Sequence, residues 1–183
     1  VSALQLRILM SLSKKEKEAE LNVKQRFTAI VSQQVLFESN ADNFQLVYGT
    51  LSSQLYPLYL SRFNFYSGVS VTTLKKYQDN RLFFYCNPAK AQTKAGIPDE
   101  DWDAYLGIDP SRVYSEILDL YTADSISNIN SRFFEIDNCQ PTIQMGYAEL
   151  NFVLAEACLR GWIDGDANSY YHKGIEASMN FAA

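Results

Sequence analysis

The sequence predicts a mainly α-helical protein, built on helix hairpins with long loops and a few short β-strands. Three observations carry this. Segment 141–183 reads as helix, Gly-punctuated turn, helix. Segment 1–36 reads as a second helix pair. Segment 37–140 between them loses helical periodicity and gains Asn, Ser, Gly, Pro and aromatic residues.

Taken in order, Val1 to Leu12 is apolar nearly all round, the pattern of a buried helix, and ends near Ser13. Ser13 and Glu16 have Ser-x-x-Glu spacing, a capping box that predicts the start of a second helix. Val23, Phe27, Ile30 and Val31 give that helix its apolar face down to about Val35. The charged run Lys14–Glu20 would form its solvated first turns.

From Asn40 to Ser67 a long loop with at most a short helix is expected. Ser70–Tyr77 reads as a short helix and Asp79-Asn80 as a turn. Arg81–Cys86 reads as a strand, because Leu-Phe-Phe-Tyr is rich in β-formers. Residues 90–110 carry Gly96, Pro98, Gly107 and Pro110 and read as a loop or insertion. Asp109-Pro110 is expected to cap a helix over Val113, Tyr114, Ile117, Leu118 and Tyr121, and Ser131–Asp137 to form another short strand.

In the last segment Gly146 is the expected N-cap, with Glu149 at the third helical position facing unpaired backbone N–H groups. Tyr147, Leu150, Leu154 and Cys158 share one face. Arg160 and Gly161 close the helix with a cation and a residue tolerant of left-handed backbone. Asp166 is the N-cap of the next helix, along which Ala167, Tyr171, Gly174, Ser178 and Phe181 recur at helical spacing. A mid-helix glycine costs about 1 kcal/mol against alanine, which suggests close approach by a neighbouring backbone at Gly174. Large and small residues alternating across two antiparallel helices are the pattern of tetratricopeptide-like hairpins.

Composition narrows function. The net charge of −5 lacks the clustered Lys and Arg that nucleic acid requires. Aromatics make up 14% of the chain, with 12 Tyr and 11 Phe, enough for a core and for rings left to stack on flat ligands. Cys86, Cys139 and Cys158 form no CxxC pair, and with a single histidine, His172, a zinc site is not expected. Cys158 reads as a small buried hydrophobe. Cys86 and Cys139 are open to pairing in an oxidising compartment. Asp99, Glu100, Asp101 and Asp103 lack the spacing of an EF-hand and read as a solvated acidic loop, so neither metal nor cofactor is expected. Glu149 and Glu156 lie two turns apart on one helix, a poor carboxylate pair for glycoside hydrolysis. No run of apolar residues is long enough to span a membrane.

Several strings resemble one family. Met145-Gly-Tyr-Ala-Glu-Leu-Asn-Phe-Val-Leu-Ala-Glu-Ala157, then Arg160-Gly-Trp-Ile163, then Tyr170-Tyr-His-Lys-Gly-Ile-Glu-Ala-Ser-Met179 are similar to the SusD/RagB-like outer-membrane proteins of Bacteroidetes. Leu6–Ser13 with Phe27 and Ile30 is similar to the family's early repeat helices. Asp79–Ala89 resembles its turn-strand segment, where proline is more usual than Asn80. The resemblance spans nearly the whole chain and is densest over 145–181. It implies a single SusD-like domain fragment over 1–183, whose lipidated N-terminal anchor lies outside it. It further implies a cell-surface lipoprotein that binds a nutrient, usually a glycan, without catalysis. The implied partner is a SusC-like TonB-dependent transporter.

Within such a protein, sugar contacts would sit on loops held by rigid helices. Trp102, amid Asp and Glu in a polar loop, is the first candidate. Tyr105, three residues later, and Tyr66, at the end of the other long loop, join it. The competing reading of all three is that they pin loops to the scaffold. Two other functions compete with nutrient binding: a tetratricopeptide-type protein–protein scaffold without a small ligand, and a fragment of an all-α glycoside hydrolase.

Overall fold

A computed structural model describes residues 1–33, 35–49, 65–134 and 139–182. These residues form helices α1 (Ser2–Ser11), α2 (Val23–Gln33), α3 (Gly68–Lys76), α4 (Arg81–Tyr85), α5 (Lys90–Lys94), α6 (Tyr114–Thr122), α7 (Tyr147–Leu159) and α8 (Ala167–Ala182). Two strands, β1 (Phe44–Leu46) and β2 (Thr142–Met145), pair antiparallel, with Phe44 opposite Met145 and Leu46 opposite Thr142. The fold is mainly α. None of the described helices is long and apolar enough to cross a membrane. The chain divides into two compact units: residues 1–46 with 142–182, and residues 47–141.

The first unit is the helical frame. Leu6, Leu9 and Met10 of α1, Val23 and Phe27 of α2, Leu150, Leu154 and Ala157 of α7, and Trp162 form one buried cluster. Trp162 meets Phe27 edge-on, with centroids 5.4 Å apart, and its carbonyl accepts from Thr28 Oγ1 at 2.7 Å. The α7–α8 turn closes as expected: Gly161 has φ +65° and Asp166 Oδ1 accepts from Asn168 N. At Gly174 the neighbour that comes close is a side chain, not a backbone. A Cβ there would lie 2.7 Å from the Phe152 ring.

Other expectations for this unit are corrected. Ser13 and Glu16 do not start α2. Ser13–Lys15 is a single 3₁₀ turn, and α2 begins at Val23, after Asn22 takes φ +48°. A left-handed residue breaks helical continuity, so the charged run is a turn rather than the helix's first turns. Gly146 is the N-cap of α7 and offers no side chain to cap it, and Glu149 stands in the first turn, as expected. Its carboxylate grips the Arg7 guanidinium through Nε and Nη2. The cap comes instead from Asn43, whose Oδ1 accepts from Tyr147 N at 2.7 Å. Asn43 is held by a capped turn, in which Asp42 Oδ2 accepts from the Glu38 and Ser39 amides and Ser39 Oγ accepts from Ala41 N. The same turn sends Asn40 Nδ2 to Ala177 O of α8 at 2.8 Å. Thus part of the expected Asn40–Ser67 loop is ordered as a turn and strand β1; its residues 50–64 lie outside the described set.

Candidate functional site

The second unit carries the three ring residues singled out in the sequence, and α4 organises it. Arg81–Tyr85 is one helical turn, not a strand. Asp79 decides the matter. Its carboxylate accepts from Arg81 N at 3.1 Å and from the Arg81 guanidinium, and its carbonyl accepts from Leu82 N. A capped turn outweighs the β-propensity of Leu-Phe-Phe-Tyr. Burial still alternates, with Leu82, Phe84 and Cys86 buried and Phe83 and Tyr85 half-buried, so the apolar pattern alone could not separate helix from strand.

The side-chain hydrogen bond from Arg81 holds the Asp79 carboxyl below its ordinary value of 3.8, helped by the Arg81 backbone amide and charge. A depressed folded value adds stability above the unfolded value and loses it as pH falls through the folded one. Wild type should therefore lose stability below about pH 4, in a step that Asp79→Asn lacks. Urea titrations of both proteins from pH 6 to pH 2 will check this; parallel pH profiles would refute it.

Further turns position the rest. Asp109 does not cap α6. It accepts from Ser111 N and Oγ in a local turn, and α6 starts at Tyr114. Ser131–Phe133 is a 3₁₀ turn capped by Asn130 Oδ1 on Arg132 N rather than a strand; residues 135–137 of that expectation lie outside the described set. In the expected loop 90–110, α5 and a 3₁₀ turn at Trp102–Ala104 are ordered. Among the described residues of this unit, extended pairing takes the form of single bridges, Phe65 with Asn128, Cys86 with Ile129 and Ser67 with Ile108.

Trp102 is half-buried and tilted at 49° against Phe83, with centroids 4.7 Å apart. Tyr105 meets Phe83 edge-on at 5.2 Å, is 4% exposed and donates its hydroxyl to Asp99 O at 2.9 Å. The acidic loop thereby acquires local roles: Asp101 caps the Trp102 turn and Asp103 pairs with Lys75. Among the described residues no group of three or more His, Cys, Asp or Glu side chains is placed to hold a metal ion.

Tyr66 belongs to a different group. Its ring lies nearly parallel to Tyr85, at 10° with centroids 6.4 Å apart, and Tyr85 lies at 24° and 6.3 Å from Phe133. Burial pushes the hydroxyls of Tyr66 and Tyr105 up to about 12, so both stay protonated and can donate as well as accept. Tyr85, Phe133 and Phe83 were not singled out in the sequence, where they read only as β-formers. Elsewhere in this unit an open cavity of about 740 Å³ is lined by Gly68, Thr72, Gly107, Asp109, Arg112 and Ser125, among others. Neither Trp102 nor Tyr66 lines it.

All three cysteines are free thiols. Cys86 is buried, and burial pushes its thiol up to about 12, which leaves it unreactive. The Cys139 thiol donates to Phe133 O. Cys158 is half-buried rather than buried, its Sγ lying beside Gly165.

The family model SusD-like, described as starch-binding and associating with the outer membrane, matches residues 1–182. No curated protein matches. A SusD homologue of Bacteroides fragilis NCTC 9343 is 41% identical, with a TM-score of 0.80 over 99% of this chain and 39% of its own. A Bacteroides vulgatus ATCC 8482 protein, named for the outer membrane and nutrient binding, is 36% identical, with a TM-score of 0.81 over 99% of this chain and 40% of its own. A chitin-binding SusD homologue from Flavobacterium johnsoniae is 25% identical, with a TM-score of 0.71 over 99% of this chain and 34% of its own. The chain therefore spans about two-fifths or less of the length of these solved relatives. With the family model matched from end to end and a relative at 41% identity, the chain belongs to the SusD-like family.

Proposed function

We propose that this chain is part of a non-catalytic binding protein at the outer-membrane surface, which captures a glycan and passes it to a SusC-like TonB-dependent transporter. Family membership carries the proposal. The chitin-binding relative supports the ligand class. Two features of the chain agree with it. Glu149 and Glu156, the carboxylates weighed for hydrolysis, are each engaged by an arginine, Arg7 and Arg160. The half-buried ring of Trp102 sits on a 3₁₀ turn and that of Tyr66 on an extended stretch between two bridges, both packed against one buried cluster, where a sugar's C–H face can stack and hydroxyls or carboxylates nearby can bond its hydroxyls. Tyr105 serves this arrangement from behind, fixing Phe83 and through it Trp102. A lipid anchor on the natural protein would hold it at the surface.

Affinity electrophoresis against starch, chitin oligomers and other polysaccharides tests the reading. Migration should be retarded by at least one of them. Trp102→Ala should weaken that retardation about tenfold, the equivalent of about 1.4 kcal/mol, with helicity unchanged. Full retention of binding would remove Trp102 from the site, and release of reducing sugar would revive the hydrolase reading.

A further inference from the structure

We infer that the ligand is an acidic glycan, and that two adjoining cavities along α3 hold its carboxylate or sulfate groups on Arg112, Lys75 and Lys76. The inference rests on the glycan-binding reading above and names the class of glycan.

The cavity of about 740 Å³ has a neighbour. A second cavity, of about 560 Å³, shares Thr72, Leu106 and Gly107 with it. The first lies against Gly68 and Val69 in the opening turn of α3, the second against Lys75 and Lys76 in its last. Six residues separate Val69 from Lys75, which is about 9 Å of helix at 1.5 Å per residue. The groove is therefore long enough for more than one sugar. Among the described residues that line it the one aromatic is Tyr105, itself 4% exposed, so this groove grips by charge and hydrogen bonding rather than by stacking.

Charge singles the groove out. The chain carries 21 acidic and 16 basic residues. The lining of the two cavities reverses that balance, with Arg112, Lys75 and Lys76 against Asp109 alone. Asp109 is engaged in its own turn, accepting from Ser111 N and Oγ. The cations are less committed. Among the described residues Lys76 has no carboxylate partner, and its ammonium lies 5.3 Å from the centroid of the Tyr77 ring. Arg112 reaches Glu116 at 3.6 Å with both side chains half exposed, and such a pair holds its members weakly. Lys75 is anchored, pairing with Asp103 at 3.3 Å and donating to Tyr105 O at 3.4 Å, which ties the second cavity to the Trp102–Ala104 turn. Lysines in the last turn of α3 also suit the helix dipole. The dipole does not account for Arg112, which lies outside α3.

Neutral groups complete the groove. Thr72, common to both cavities, has a hydroxyl that no described residue engages. Thr73 and Ser125 donate their hydroxyls to Val69 O and Ala123 O and keep lone pairs for a sugar hydroxyl. Leu106, Ile108 and Ile126 give the first cavity apolar walls, beside which a charge pair is stronger than in open water. The frame is fixed in advance by Gly68 N donating to Ile108 O and Ser127 N to Leu106 O, both at 2.6 Å, which favours affinity.

The test is calorimetric titration of the full-length natural protein with four tetrasaccharides. An α-linked galacturonate tetramer offers carboxylates, a chondroitin sulfate tetrasaccharide adds sulfates, and α-linked glucose and β-linked N-acetylglucosamine tetramers are neutral. At least one acidic tetramer should bind more tightly than either neutral one, and the preference between the two acids identifies the anion. Its affinity should fall severalfold from about 50 to about 300 mM salt as screening shortens. Arg112→Gln and Lys76→Gln should each weaken it about three- to fivefold, the effect of one partly solvated charge pair. Lys76→Arg, which keeps the charge, should bind like wild type, and thermal melts of the glutamine variants should match it. Neutral tetramers bound as tightly as acidic ones, or acidic binding untouched by both glutamine variants, would overturn the inference while leaving glycan binding intact. Failure of wild type to bind any tetramer or polysaccharide would overturn the functional reading and the inference with it.

Discussion

Phe27→Ala should destabilise the helical unit by about 3–5 kcal/mol, the range for an aromatic removed from a close-packed core. Phe27 is 0% exposed and reaches α1, α7 and Trp162 within one cluster. The same cluster holds Leu6 at 0%, Val23 at 1% and Leu150 at 1% exposure. In a unit of this size each kcal/mol moves the thermal midpoint by about 4–8 °C, so the variant should melt far below wild type. A double-mutant cycle with Trp162→Leu should isolate about 0.5–1.5 kcal/mol for the edge-on pair, beyond simple loss of area. Chemical denaturation followed by far-UV circular dichroism measures both. A loss below about 1 kcal/mol for Phe27→Ala would mean that this cluster does not organise the unit.

The sequence disclosed this frame well because its signals are local. Gly161 after Arg160 and Asp166 before Ala167 each act within a turn or two of their own position. The signals it missed are non-local. Asn43 caps α7 from a hundred residues away, and nothing in the spacing around Asn43 says so. Strand β1 exists because β2 lies opposite, not because Phe-Gln-Leu insists on it. The Ser13–Glu16 capping box has the right residues in the right register, yet Asn22 in left-handed backbone sets the true start of α2. Arg81–Tyr85 shows a local conflict: a strong β composition loses to a single carboxylate that caps a turn.

The candidate site was legible only in part, for the same reason. Composition can mark Trp102 as odd in an acidic loop, and it can count rings. Whether rings cross or run parallel is decided by the web of bonds from 127–133 and by Phe84 behind them, which local composition does not reveal. Tyr85 and Phe133 therefore looked like ordinary β-formers. Tyr105, chosen for its closeness to Trp102 in sequence, turns its hydroxyl inward to Asp99 and leaves little surface for a ligand.

Gly107→Ala should be the most damaging small substitution in the second unit. A Cβ at that position would lie 2.5 Å from Gly68 Cα and 2.8 Å from both Gly68 N and Ser67 O. These are backbone atoms, and they are held. Gly68 N donates to Ile108 O at 2.6 Å, Ile108 N donates to Tyr66 O at 2.9 Å, and Ser67 bridges Ile108. Relief of the clash requires parting the two strands of chain and losing those bonds, which places the cost at about 3 kcal/mol, the upper part of the range for overpacking. Gly174→Ala makes the informative contrast. Its added methyl also meets an atom at 2.7 Å, but that atom belongs to a side chain, the ring of Phe152, which is 37% exposed and can shift where backbone cannot. Alanine also gains about 1 kcal/mol of helix propensity there, so the net change should be near zero. Because Tyr66 hangs from the bonds that Gly107→Ala breaks, the same variant should also weaken glycan binding if Tyr66 contacts the ligand, whereas Gly174→Ala should not. Thermal melts and titrations on the two variants separate the cases, and a Gly107→Ala protein as stable as wild type would show that the backbone contact at Gly68 can yield.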